Sequence, residues 1–128
     1  MTWDAMEYSE MILDHFTNPR NIGEIPNADG IGVVGDPECG DHIKVWIKVA
    51  GDFHISDIRF KCKGCPAAIA MGSIMTEMAK GRHVDEVSEQ VTDEAIEEQA
   101  GGLSDEKKHC SNLAAGALYK AIMNYALK

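Results

Sequence analysis

Ile43, Val45, Ile47 and Val49 alternate strictly with His42, Lys44, Trp46 and Lys48. A period of two puts the four aliphatic side chains on one face of a strand. Ala50-Gly51-Asp52 turns the chain, and Phe53 to Cys62 runs back as a second strand. The apolar phase changes within it: Phe53 and Ile55 are odd, whereas Ile58 and Phe60 are even. A bulge or break near Ser56-Asp57 accounts for the change. Ile31 to Val34 gives a third, short strand inside a Gly- and Pro-rich stretch from Asn21 to Gly40, with turns at Pro26-Asn27 and Asp29-Gly30.

Helical spacing dominates elsewhere. Met6, Leu13 and Phe16 share a face, and Asn18-Pro19 ends that helix. From Pro66 to Lys80, Ala70, Ile74 and Met78 are four apart, and Gly81 closes the helix. Val84 to Val87 predicts a short helix. Thr92 is a cap for the next, with Asp93 and Glu94 in its first turn and Gly101-Gly102 after it. A last helix begins near Cys110-Ser111, with Leu113, Ala117, Ala121 and Tyr125 as its stripe. Strands early and helices late predict an α+β fold: a small antiparallel sheet of about three strands packed against several helices. Residues 1–128 make one domain, with no repeat, low-complexity tract or linker.

Composition adds constraints. The chain is 45% hydrophobic and 26% charged, ordinary for a globular protein. A domain of this size buries roughly two-thirds of its unfolded surface, so its core needs no metal or disulfide staple. Twelve basic and 21 acidic residues leave a net charge of −9. That charge argues against binding nucleic acid or an anionic membrane. The N-terminus, Met1-Thr2-Trp3-Asp4, lacks an apolar signal region, and no apolar run approaches the roughly 20 residues of a membrane span. The expected location is cytoplasmic, where thiols stay reduced.

Four reduced cysteines point to metal binding or catalysis before disulfides. Cys39 lies in the loop Gly35-Asp36-Pro37-Glu38-Cys39-Gly40-Asp41. In an extended chain, Cys39 and Asp41 point to the same side. Cys65 precedes Pro66, which favours the first helical position, so Cys65 is the expected N-cap. A helix N-terminus favours a thiolate there. His109-Cys110 opens the last helix. Thiolates suit zinc and iron–sulfur clusters, and a carboxylate or imidazole can complete four-coordination. Cys39, Cys65 and Cys110 with Asp41 or His109 meet that count. Spacing alone leaves a second reading open, in which the cysteines are small buried core residues.

Cys62 forms a C-x-x-C with Cys65, but no second C-x-x-C exists to make a zinc ribbon. It is in phase with Ile58 and Phe60, so a core-facing strand position is expected. Met71, Met75 and Met78 are expected in the helix core. His15, His42, His54 and His83 are expected at the surface or as caps. The acidic run Asp85 to Glu98 is expected as a solvated helix face, and Trp46 as a half-buried strand residue.

At these residues the sequence resembles the IscU/NifU-type iron–sulfur cluster scaffolds. The resemblance covers nearly the whole chain. Tyr8-Ser9-Glu10, Asp14-His15-Phe16 and Asn18-Pro19-Arg20-Asn21-Ile22-Gly23 are similar to the family's N-terminal stretch. Gly35 to Asp41 is similar to its first ligand loop. Phe60-Lys61, Gly64-Cys65, Ala68-Ile69-Ala70 and Thr76-Glu77 are similar to the second. His109-Cys110-Ser111 with Leu113-Ala114 is similar to the third. The resemblance implies a scaffold, not a turnover enzyme. A transient cluster, commonly 2Fe-2S, would be built from iron and from persulfide sulfur delivered by a cysteine desulfurase, then passed to apo iron–sulfur acceptor proteins. Its ligands would be Cys39, Asp41, Cys65 and Cys110, with His109 as a further metal ligand. Zinc can occupy the same donors in purified protein. Monomer and homodimer both stay open.

Two departures stand out. The family's Leu-Pro-Pro-Val-Lys segment is replaced: Leu103 and Lys107 remain, with Ser104-Asp105-Glu106 between them. That argues against dependence on a dedicated Hsp70-type chaperone. Cys62 stands where the commoner scaffold has no cysteine. The chain shows no long insertion before the third ligand region, unlike the zinc-dependent SufU branch of sulfur acceptors, which is the alternative reading.

Overall fold

The computed structural model describes residues 9–35, 41–103 and 108–128. β2 (His42–Val49) is the central strand of an antiparallel three-stranded sheet, between β1 (Gly30–Gly35) and β3 (Ile55–Lys63). The strict alternation of β2 is reflected in its burial. Ile43, Val45 and Ile47 are fully covered on the core face, opposite Cys62, Phe60 and Ile58 of β3. The register then shifts: Lys48 pairs with Asp57, but Val49 pairs with Ile55. Ser56 is therefore the extra residue of the expected bulge, and it restores Ile55 to the core face. Phe53 falls outside the strand, in the turn, with φ 66° and half its surface exposed.

Among the described residues, five helices follow the predicted punctuation: α1 (Glu10–Thr17), α2 (Pro66–Ala79), α3 (Val84–Gln90), α4 (Asp93–Gln99) and α5 (Lys108–Ala126). Ser9, His83 and Thr92 cap α1, α3 and α4 by accepting from the amides of Ile12, Asp85 and Ala95. The predicted start of α1 at Met6 lies outside the described residues. α2 ends at Ala79 with Lys80 as its C-cap, and Gly81 then turns the chain at φ 87°. α5 starts at Lys108, slightly before the expected Cys110.

α2 and α5 cover the core face of the sheet. α5 comes so close to β1 that a Cβ on Gly32 would lie 2.2 Å from the Ala117 carbonyl oxygen. A Cβ on Gly30 would meet the Ala121 carbonyl at the same distance. Hydrogen in place of a side chain at both positions is what lets the helix backbone rest on the strand. The buried stripe of α5 is correspondingly wider than predicted. Cys110, Ala114, Ala117, Leu118, Ala121 and Ile122 are covered, whereas Leu113 and Tyr125 flank them half-buried. The sheet, α2 and α4 enclose α5 from several sides, so one i, i+4 row does not describe its burial.

The segment between α1 and β1 crosses the sheet's outer face. It starts at the β3 edge, where Phe60 N–H donates to the Asn21 carbonyl and Gly23 N–H donates to the Phe60 carbonyl. It passes Lys61, paired with Glu24, and Lys48, whose Nζ donates to the Asn27 carbonyl. It ends where Asp29 accepts from the Val49 amide. Trp46 lies on that face and is only 6% exposed, less than the half-buried state expected. His15 is a correction of another kind. It was expected at the surface, but it is buried, with Nδ1 2.7 Å from Ser73 Oγ. Ser73 Oγ also accepts from the Arg20 amide, so this polar group ties α1 and the crossing segment to α2. Burial holds the His15 imidazole below its usual pKa, with the Arg20 charge acting in the same direction. Met71 and Met75 are core as expected, and Met78 is partly covered.

The glycine contact between β1 and α5 gives a direct test. Gly32→Ala forces a methyl group against backbone that cannot yield as a side chain does. We expect a loss of about 2 kcal/mol or more in urea unfolding at an unchanged m-value.

Candidate metal centre

The β2–β3 register places the residues before β2 beside those after β3. His42 pairs with Lys63, so Asp41 and Gly64 are neighbours across the ladder. The contact confirms it: a Cβ on Gly64 would sit 3.6 Å from Asp41 Cγ and 3.3 Å from Ala68 Cβ. The Asp41 carboxylate thus lies against a stretch of backbone with no side chain, next to Cys65.

Cys65 is the N-cap of α2, with extended φ −73° and ψ 165°, and Pro66 follows at the helix start. Its side chain makes no capping hydrogen bond. Instead Cys65 Sγ lies 3.5 Å from Cys110 Sγ. Cys110 is the third residue of α5 and 1% exposed. His109 Nε2 stands 3.6 Å from Cys110 Sγ, and His109 is itself exposed. Both sulfurs therefore sit at helix N-termini. Two thiolates on one tetrahedral metal, each about 2.3 Å from it, stand about 3.8 Å apart. The observed separation fits that requirement.

Of the predicted set, Cys65, His109 and Cys110 come together, with Asp41 alongside Cys65. Cys39 lies outside the described residues, two positions before Asp41. Among the described residues, no three His, Cys, Asp or Glu side chains already surround a single metal position. The sulfur pair is formed, with His109 beside Cys110 and Asp41 beside Gly64.

Cys62 occupies the core-side position that its phase predicted. It pairs with Ile43 and packs against the core, half-buried. Burial pushes its thiol up to about 11, and the neighbouring Cys65 and Asp41 charges add to the effect. Cys62 is therefore a neutral thiol at neutral pH, unlike a thiolate ligand.

Glu97 was hidden in the acidic run expected as a solvated face. Most of that run is exposed, but the Glu97 side chain is 18% exposed. Its Oε2 accepts from Ser111 Oγ at 2.6 Å, immediately after Cys110. No periodicity marks this glutamate among its neighbours, since only the packing of α4 on α5 distinguishes it.

The sequence pattern of the NifU-like N terminal domain matches residues 7–128. The chain belongs to the NifU-like N-terminal domain family. The iron–sulfur cluster assembly scaffold protein IscU 1 of Archaeoglobus fulgidus is 52% identical over 121 residues, covering 94% of this chain and 78% of that protein. The Escherichia coli scaffold IscU is 44% identical over 126 residues, covering 96% and 97%. Among solved structures, the N-terminal part of a nitrogen-fixing NifU-like protein from Brucella abortus superimposes with TM-score 0.75 at 19% identity, covering 95% and 96%. A putative SUF-system scaffold from Fervidobacterium islandicum gives 0.73 at 25% identity, covering 93% and 98%. The α+β sandwich expected from the strand and helix pattern is thus the family's fold.

The raised Cys62 pKa predicts an order of alkylation. A thiol with pKa about 11 is roughly 1% ionised at pH 9, and only the thiolate reacts. In metal-free protein treated with iodoacetamide, labelling at Cys62 should be slow at pH 8 and should accelerate up to about pH 11. Peptide mass spectrometry reads this; a Cys62 rate that levels off below pH 9 would contradict the assignment.

Proposed function

We propose that this protein is a scaffold on which an iron–sulfur cluster is assembled and from which it is handed on. The observation that carries the reading is the Cys65–Cys110 sulfur pair, 3.5 Å apart on two helix N-termini, with Asp41 and His109 at its margin. The scaffold names of the relatives from Archaeoglobus fulgidus and Escherichia coli support it. Cys39, Asp41, Cys65 and Cys110 would hold the cluster, and His109 is the further donor.

The chemistry of each donor suits a transient cargo. Thiolates bind iron and sulfide-bridged iron strongly, and the two sulfurs are held together at the starts of two helices. An oxygen donor is a weaker partner for iron than thiolate in such a site, so Asp41 lowers the barrier to release. Asp41 and His109 are exposed, so sulfur and iron can enter, and an acceptor can approach, without opening the core. The cargo is of the 2Fe-2S type in this reading. Its sulfur comes as persulfide from a cysteine desulfurase, and it leaves to apo iron–sulfur proteins in the cytoplasm. Ser104-Asp105-Glu106 in place of the family's proline-containing segment argues against dependence on a dedicated Hsp70-type chaperone. The residues carry no separate turnover chemistry, since their role is to bind and release.

A second reading is a zinc-dependent sulfur acceptor of the SufU kind. The fit of the sulfur pair to tetrahedral zinc favours it. Anaerobic reconstitution with iron and a sulfur donor, followed by Mössbauer spectroscopy and transfer to an apo-ferredoxin, separates the two. Cluster formation and transfer support the scaffold. Stable zinc binding without cluster formation supports the acceptor.

The role of Asp41 makes a sharper prediction. Asp41→Ala should keep its cluster longer than the unmodified protein, seen as slower decay of visible absorption during aerobic handling. Faster decay would show that Asp41 strengthens the site.

A further inference from the structure

We propose that Glu97 of α4 is a positioning residue for the His109–Cys110 arm of the metal centre, acting through Ser111 and Lys108. This rests on the metal-binding reading of Cys110 and adds a residue that touches none of the donors itself.

The first turn of α5 carries His109 and Cys110, and among the described residues it contains no acidic one. An N-terminal turn is stabilised by a nearby negative charge. Glu97 brings that charge from the neighbouring helix. Its Oε2 accepts from Ser111 Oγ at 2.6 Å, and its Oε1 lies 3.9 Å from Lys108 Nζ. Ser111 is fully buried, and its hydroxyl also lies 2.8 Å from the Lys108 carbonyl. One carboxylate therefore grips the residues on both sides of His109-Cys110.

Glu97 is itself held. The adjacent Ile96 is fully buried, and α4 is capped by Thr92 at its start. At its end, the Ala100 carbonyl accepts a hydrogen bond from Ser9, the N-cap of α1. A short helix anchored at both ends is a rigid post against which the first turn of α5 can be set. The consequence is geometric. Cys110 Sγ must stay near Cys65 Sγ, and the two belong to helices that are far apart in sequence. Rotation or fraying of the first α5 turn would move Cys110 and His109 together, whereas Cys65, held by β3 and α2, would stay. Groups that orient a ligand without touching the metal typically contribute 10–100-fold in affinity.

The test uses cadmium as the probe on the full chain. The cadmium-113 NMR shift reports how many thiolates are bound, and competition with a chelator gives affinity. Glu97→Ala should weaken cadmium binding about tenfold and move the resonance toward fewer thiolates. Glu97→Gln keeps an acceptor for Ser111 but loses the charge facing Lys108, so it should recover part of the loss. Ser111→Ala should resemble Glu97→Ala and serves if that variant folds poorly. Ile96→Val removes one core methyl group from the same helix without touching Ser111. It should lower Tm while leaving shift and affinity at the unmodified values. Unchanged shift and affinity in both Glu97→Ala and Ser111→Ala would overturn the proposal. Equal loss of affinity in Ile96→Val would also overturn it, because general loosening of α4 would then suffice. Unmodified protein whose cadmium signal is indifferent to Cys110→Ser would instead sink the metal-site reading itself, and the role of Glu97 with it.

Discussion

The close seating of α5 on β1 is the contact on which the rest of the structure depends. Gly30 and Gly32 leave the strand bare where the Ala121 and Ala117 carbonyls press on it. α2 lies beside α5 on the same sheet face, continuing from β3 through Gly64 and Cys65. Once α5 is set against β1, the start of α5 is brought to the start of α2. Two sulfurs 45 positions apart in sequence then meet at 3.5 Å. A side chain at either glycine would lift α5 from the sheet and pull Cys110 away from Cys65. The same contact therefore serves stability and ligand geometry.

Around that sulfur pair the electrical environment differs over short distances. Cys65 and Cys110 sit at helix N-termini, which favour negative charge. Cys62, three residues before Cys65, is drawn into the core, and burial holds its proton on. The C-x-x-C pair is thus divided by its surroundings into a site thiol and a core thiol. Asp41 reaches the site from the other strand because the β2–β3 ladder continues past His42 and Lys63. Strand register delivers the Asp41 carboxylate, and helix packing delivers the second sulfur.

The polar groups near the core connect the elements that carry the donors. His15 and Ser73 join α1 to α2, whereas Glu97 and Ser111 join α4 to α5. Ser9 bridges α1 to the end of α4. A buried polar group is costly unless it is paired, so each pair fixes one relative orientation of its two elements. The candidate metal centre lies at the edge of this frame, where Asp41 and His109 meet solvent.

Much of this was legible in the sequence because it is local. Strict alternation defines β2, a change of phase marks the bulge at Ser56, and Cys65-Pro66 opens α2. Thr92 and the paired glycines Gly101-Gly102 bound α4. The candidate donors were picked out for the same reason, since each stands in a short motif whose chemistry is written in adjacent residues. Three features were not. The burial of His15, the near-complete covering of Trp46 and the role of Glu97 each depend on a partner more than ten positions away, and no periodicity records such a partner. The sequence by itself therefore determined the elements, their caps and the kind of chemistry on offer. Tertiary structure alone decided which donors meet, which cysteine is withdrawn and which acidic residue faces inward. Propensity and pattern act over a few residues, whereas desolvation and contact act between elements that only packing brings together.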